Sequence, residues 1–402
     1  MLKKNLCSDY NPLYFLASLG AGGIAVTFFM YPMFMIQHSD TPLVTFKHLY
    51  PILTGDNLVV GGLLVLDLVA ILFFSFLHFR LLLWNFSELK CFRKSASCTK
   101  LKKSNAEVSL MVIPLTLAMS INVAFILGAL FIPGLWQFVE YLFPFALLGF
   151  FAVGIQALKI LGTYFTRLFT AGDFDFASNN NLSQMIAIFA LAMISVGLAA
   201  PGAMSQHIQI NAIGIFLSIF FLSLAMVLAI VKLVLGFQSI ITHGISEKAS
   251  PSLWILIPIL TLFGITVIRL TMGLHHGFEA DLSKPSLFVL TSVILSLQIM
   301  IGLIGYKVMD EVGYFRDYIS GSKGDAGTFA LICPGVALFV FGTFFLTFGL
   351  VKNGLVGHLS PAYFVILTPF ILVQIKTIQV FFQLSCRIIS LGPCNVRIAQ
   401  QS

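Results

Sequence analysis

Along this chain, apolar and polar positions alternate on the scale of whole segments rather than single turns. Ten long apolar runs, at 12–36, 58–84, 109–131, 135–165, 183–203, 208–236, 252–274, 286–309, 326–351 and 361–388, are separated by short polar connections. Each approaches or exceeds the roughly 20 residues that carry a helix across a hydrocarbon core, and none has the residue-by-residue alternation of a membrane barrel strand. The pattern therefore predicts an all-α polytopic membrane protein with ten transmembrane helices. The first run is too long for the apolar core of a cleavable signal and reads as the first span. Residues 1–11 then form an N-terminal segment, 12–388 a single transmembrane domain, and 389–402 a C-terminal tail.

Composition sharpens this without changing it. Hydrophobic residues make up 58% of the chain and charged residues 10%, with a mean hydropathy of +0.98. A soluble domain carries about a quarter charged residues. The formal net charge of +7 needs no nucleic-acid partner, because topology accounts for it. Lys3, Lys4, Lys90, Arg93, Lys94, Lys100, Lys102, Lys103, Arg167, Lys248, Arg316, Lys323 and Arg397 fall on the side holding both termini, whereas Lys47, Lys284 and Lys352 fall opposite. The positive-inside rule assigns the richer side, with its basic loop 87–106, to the cytoplasm. Six cysteines (Cys7, Cys91, Cys98, Cys333, Cys386, Cys394) follow no metal-ligand spacing, and all but Cys333 are expected as reduced thiols without a shared role. No metal site and no cofactor are expected.

An internal repeat organises the spans. The odd-numbered runs read LMVIPLTLAMSIN from Leu110, MIAIFALAMISVG from Met185, LWILIPILTLFGIT from Leu253 and FALICPGVALFVFG from Phe329. Pro114, Pro258 and Pro334 share one register, with Phe189 in the remaining line; eight residues on stand Asn122, Thr266, Gly342 and Gly197. The first run fits more loosely, with Leu19 at the proline register and Thr27 eight on. Positions eight apart share one helix face. Five tandem helical hairpins are thus expected, each a kinked odd helix followed by an even one, with small and weakly polar residues on a face suited to line a central pathway. Even spans instead carry amides and lysines toward one end, among them Lys159, Lys232, Gln298, Lys307, Gln374 and Lys376. Those lysines either snorkel to the interface or, at Lys159 and Lys232, lend positive potential to an anion path. Asp67 in the second span calls for a basic partner, with Arg269 among the choices.

The most unusual segment is Thr328–Phe348, which places Cys333 before Pro334 and Gly335 and then spaces Phe341, Phe344, Phe345 and Phe348 closely. A helix broken at membrane depth is tolerated where the freed backbone faces protein or water, so this segment reads as a pathway wall. His275 and His276, followed by Glu279 and Asp281, and His358 in another connection, read as solvated loop residues rather than a metal site.

Ten spans in five tandem hairpins, proline at one register of the odd helices and cytoplasmic termini resemble the tellurite-resistance and dicarboxylate transporter family, which includes bacterial TehA and the slow anion channels of plant guard cells. The chain looks most like a divergent bacterial branch labelled TsoY. The resemblance implies odd helices around a central pore, even helices outside, a homotrimer in the bacterial inner membrane, and a small inorganic or organic anion as the transported partner. It also implies a plugging phenylalanine before the proline or glycine of the ninth span, where this chain has Cys333. A gate is then expected from Cys333, Pro334, Phe329, Phe341 and Phe344, a lining from Thr27, Asn122, Gly197, Thr266, Gly342, Pro114, Phe189 and Pro258, and anion attraction from Arg269. The expected function is an anion channel or transporter, not an enzyme. A membrane redox or sulfur- or selenium-handling protein using Cys333 is the alternative, with a structural subunit of a larger complex as a third reading.

Overall fold

The computed structural model describes residues 2–175 and 180–390. All extended regular elements among them are helical, and ten helices are long and apolar enough to cross a membrane. We number these α1 (Pro12–Met35), α2 (Leu58–Phe92), α3 (Asn105–Phe131), α4 (Leu135–Ala171), α5 (Ser183–Met204), α6 (Ile208–His243), α7 (Glu247–Phe278), α8 (Lys284–Glu311), α9 (Ala326–Val351) and α10 (Pro361–Ile389). Most of the C-terminal tail, Cys394 included, lies outside the described residues.

Odd and even helices differ in environment. In the most apolar stretch of each odd helix, between 56% and 94% of residues are buried inside the protein; in the even helices the range is 22% to 33%. Contacts run from α1 to α3, α5, α7 and α9, and from α9 back to α1. Each even helix touches both its preceding and its following odd helix, α1 following α10. The odd helices thus have neighbours all round, which is why they are apolar on every side. The even helices turn large side chains outward, such as Phe145, Ile230, Leu303 and Val365.

Local chemistry sets the helix ends. The side chains of Asn57, Ser283 and Ser360 accept a backbone N–H in the first turns of α2, α8 and α10, meeting one of the donors a helix start leaves over. Gly172, with φ of 62°, ends α4 in the left-handed conformation that glycine adopts at least cost.

Every odd helix opens with a 3₁₀ stretch before α winding begins, at Pro12–Tyr14, Asn105–Met111, Ser183–Met185, Glu247–Ile255 and Ala326–Leu331. Pro114, Pro258 and Pro334 are each the third residue after the change to α winding. The sequence predicts these prolines as kinks within their spans. Each lies within its span, in the first α turn after the 3₁₀ stretch, so the shared register marks a 3₁₀-to-α junction. The winding of α9 departs from regular α at its other end, where Phe345–Val351 is π-helical.

The cysteine expectation requires correction. Cys7 and Cys91 are joined by a disulfide across 84 residues, with Cα atoms 4.9 Å apart, and Cys386 is also disulfide-bonded. Spacing gave no sign of the first bond because it depends on how the N-terminal segment lies against the end of α2. Glu88 accepts from the backbone N–H groups of Asn5 and Leu6, and Trp84 Nε1 donates to the carbonyl of Lys3. Among the described residues Cys98 and Cys333 are the free thiols.

Candidate functional site

Two hollows lie among the odd helices. A cavity of about 180 Å³ takes lining residues from all five, including Met30, Asn122, Met193, Arg269 and Val340. A vestibule of about 510 Å³ lies at the starts of the same helices, beside Ser104 and Asn105 at the end of the basic loop. Three residues line both: Phe189 of α5, Pro258 of α7 and Cys333 of α9. These side chains form the partition between the hollows. Phe189 is 5% exposed and Cys333 9%, so little open space passes between them.

The two spaces differ in chemistry. The cavity wall is mostly aliphatic and aromatic; among the described residues Arg269 is its only charged one, and no carboxylate lines it. Arg269 Nη1 donates to the carbonyl of Val196 at 2.8 Å, which orients the guanidinium from α7 toward α5. Asn122 and Thr261 add polar groups. The hydroxyl of Thr261 donates to the carbonyl of Ala337 and accepts from Gln298 Nε2 at 2.6 Å, tying α7 to α9 and α8. The vestibule is more polar, and its charged lining residues, Lys248 and Asp325, are paired at 2.6 Å.

The residues expected at a gate separate into two groups. Cys333 is in the partition and Pro334 lines the vestibule below it. Phe329, Phe341 and Phe344 line neither space. Phe329 is fully buried. Phe341 packs against Gly264, where an added Cβ would lie 2.4 Å from its ring. Phe344 sits edge-on to Phe34 and stacks on Phe348. The one phenylalanine in the partition is Phe189, at the position where its line of the repeat lacks proline.

The expected lining residues also divide. Asn122, Gly197, Phe189 and Pro258 line the cavity, whereas Thr27, Thr266, Gly342 and Pro114 do not. The reason is packing against even helices. Gly342 leaves room for the Phe370 ring of α10, 2.4 Å from where its Cβ would be, and Thr27 accepts from Gln374 Nε2 of α10 at 2.8 Å. Thr266 returns its hydroxyl to the carbonyl of Leu262. Gly197 serves both purposes, since a Cβ there would lie 2.1 Å from the Phe150 ring of α4.

Of the bases expected to attract anions, Arg269 alone reaches the cavity. Lys159 is exposed on the outer face of α4. Lys232 rests over the rings of Tyr164, Phe165 and Phe174 at 5.7, 5.6 and 5.1 Å, a cation–π contact outside the central space. Asp67 and Arg269 do not pair: neither Asp67 carboxylate oxygen has a hydrogen-bond partner. Among the described residues no group of His, Cys, Asp and Glu is arranged to hold a metal ion; His275 Nδ1 lies 2.7 Å from the carbonyl of Ala280, and His358 Nε2 lies 2.9 Å from that of Phe34.

His78 is a polar centre that sequence reasoning overlooked. Fully buried in α2, it contacts the Ser18 carbonyl of α1 at 2.8 Å and the Ser120 hydroxyl of α3 at the same distance. A histidine in the middle of an apolar run was the available signal. No family model matches the chain, and no curated protein or solved structure matches it.

Proposed function

We propose that this protein is an anion channel or transporter of a bacterial inner membrane, with both termini cytoplasmic and the odd helices lining a central pathway, as the resemblance to the tellurite-resistance and slow-anion-channel family implies. The observation that carries the reading is the cavity wall: five helices contribute to it, and among the described residues its only charge is cationic and no carboxylate lines it. An anion entering it loses water and gains Arg269, Asn122 and helix-backbone dipoles; a cation loses water and meets a like charge. Phe189 with Pro258 and Cys333 then acts as the closed gate, and widening that partition releases flow. Five tandem hairpins and a trimer complete the proposed assembly.

The test is the reversal potential of the Phe189→Ala variant in planar bilayers under a chloride gradient. Anion passage puts it near the chloride equilibrium potential. A potential near that of the cation, or no current in any widened variant, overturns the reading.

A second reading rests on Cys333 itself, a free thiol positioned between the two spaces. There it acts on a sulfur or selenium species passing through. Maleimide modification of Cys333 in membranes, together with loss of function in Cys333→Ser, supports this reading. An unreactive Cys333 whose serine variant behaves as wild type removes it.

A further inference from the structure

The end of α1 away from the vestibule is held by histidines. A helix leaves its last carbonyls without intrahelical donors. In α1 the Met33 carbonyl lies 2.9 Å from His38 Nε2, and the Phe34 carbonyl lies 2.9 Å from Nε2 of His358, in the connection before α10. His38 is engaged twice, because its Nδ1 also lies 2.9 Å from a carbonyl, that of Thr41. Carbonyl oxygens only accept, and a neutral imidazole carries one N–H. Both contacts are therefore hydrogen bonds only in the imidazolium, a cation that a helix C-terminus also favours. His48 differs. Its Nδ1 accepts from the backbone N–H of Thr45 at 3.1 Å, which leaves the proton on Nε2, 2.6 Å from Asp40 Oδ1, so a neutral ring meets both partners.

What His38 fastens is the connection from α1 to α2. Thr41 N donates to the carbonyl of His38 at 3.2 Å, and the Thr41 hydroxyl donates to the carbonyl of Leu43 at 2.6 Å. Among the described residues Leu43 is the one member of the cavity wall that none of the ten helices supplies, and it packs against Val139, Phe143 and Met204. The imidazole is thus linked through Thr41 to a side chain in the wall. The charged and titratable groups around it have partners of their own. Asp40 binds Lys47 and His48, which hold its carboxylate below the usual range, and the His48 ring stands edge-on to that of His38 at 6.0 Å. Lys352, before α10, lies 4.2 Å from the Phe348 ring, and Glu140 of α4 accepts from Ser205 Oγ and Gln206 N. We propose that residues 36–45 form a proton-sensitive lid on the cavity, seated by Leu43 while His38 bridges the Met33 and Thr41 carbonyls and released when His38 loses its second proton. The lid is held at low pH and freed as pH rises. It gives the proposed anion pathway, the reading on which this rests, a second seal opposite the partition.

The test is thiol access in the full-length protein in detergent. Met204→Cys puts a probe in the cavity wall beside Leu43, and Tyr50→Cys, at an exposed position of the same connection, gives the reference. Each is labelled with a charged methanethiosulfonate and located by peptide mass; the ratio of the two rates cancels the pH dependence of the thiol reaction itself. From about pH 5.5 to about pH 8.5, across the ordinary histidine range, the ratio is expected to rise about fivefold, the weight of one lost hydrogen bond in an opening equilibrium. His38→Arg, whose donors persist at both pH values, is expected to keep the ratio low, and His38→Ala, which donates to neither carbonyl, to keep it high. A rise with pH that either variant abolishes supports the lid even if no anion passes, in which case only the transport reading falls. A ratio that does not move with pH, or that moves equally in both variants, overturns the lid even where chloride flux is measured.

Discussion

Phe189 of α5 and Cys333 of α9 share one partition, each lining both the cavity with Arg269 and the vestibule at the helix starts. The ring and the thiol come from different helices at neighbouring registers, Phe189 at that of Pro334 and Cys333 one residue before it, both near the junction of 3₁₀ and α winding. That placement relates two features that look unconnected in the sequence: a cysteine before the proline of the ninth span, and a phenylalanine where the fifth span has no proline. In the proposed gate the bulk is supplied by Phe189 of α5, beside the smaller Cys333 of α9.

Arg269 is the only charge in the cavity wall among the described residues, so its removal is expected to change selectivity before it changes folding. In a background that conducts, Arg269→Gln should lower anion permeability by about tenfold relative to cations, roughly the 1.4 kcal/mol of one weakly screened charge interaction. Arg269→Lys should retain most of it. Bi-ionic reversal potentials measure both.

Two glycines make a different prediction, about stability. An added methyl at Gly197 would lie 2.1 Å from the Phe150 ring, and one at Gly342 would lie 2.4 Å from Phe370. Each alanine variant forces an even helix away from its odd partner, at a cost of about 1–3 kcal/mol. Gly162→Ala serves as the control, because nothing lies within 4 Å of its added Cβ. Thermal unfolding in detergent should rank both glycine variants well below the control.

The Cys7–Cys91 bond lies on the face where the basic residues gather. If that face is cytoplasmic, both thiols stay reduced in the cell and join on oxidation after purification. Closing a loop of 84 residues restrains the unfolded chain by at most about 4.6 kcal/mol. The double variant Cys7→Ser, Cys91→Ser should therefore melt below wild type only after oxidation. In cells, alkylation should capture both wild-type thiols; a pair already bonded there would place this face in an oxidising compartment and invert the topology.

The ten spans were legible because crossing a bilayer demands length and apolarity, both of which are written locally: the run opening at Pro12 ends within a residue of the helix it became. The register shared by Pro114, Pro258 and Pro334 was legible too, and in each helix it falls on the third residue of α winding. What the shared positions do was not, because proline at a 3₁₀-to-α junction and proline at a kink look alike in sequence. Small residues were read as pathway lining, yet Gly342 and Thr27 turned out to face α10, since a glycine reports close approach without saying what approaches. In sequence the crowded phenylalanines of α9 look like rings lining a path, yet Phe341 and Phe344 line neither hollow and Phe189 lines both. Which face of a fully buried helix meets the central space is decided by its neighbours, and an all-apolar sequence records no preferred face.

The central claim is that Phe189 closes an anion path. Single-channel recording in symmetric chloride, comparing Phe189→Ala with Phe341→Ala, tests it most directly. The account predicts at least a tenfold gain in chloride conductance for Phe189→Ala and none for Phe341→Ala, which removes packing alone and costs about 3–5 kcal/mol in stability. A conducting Phe341→Ala beside a silent Phe189→Ala, both folded, would contradict it.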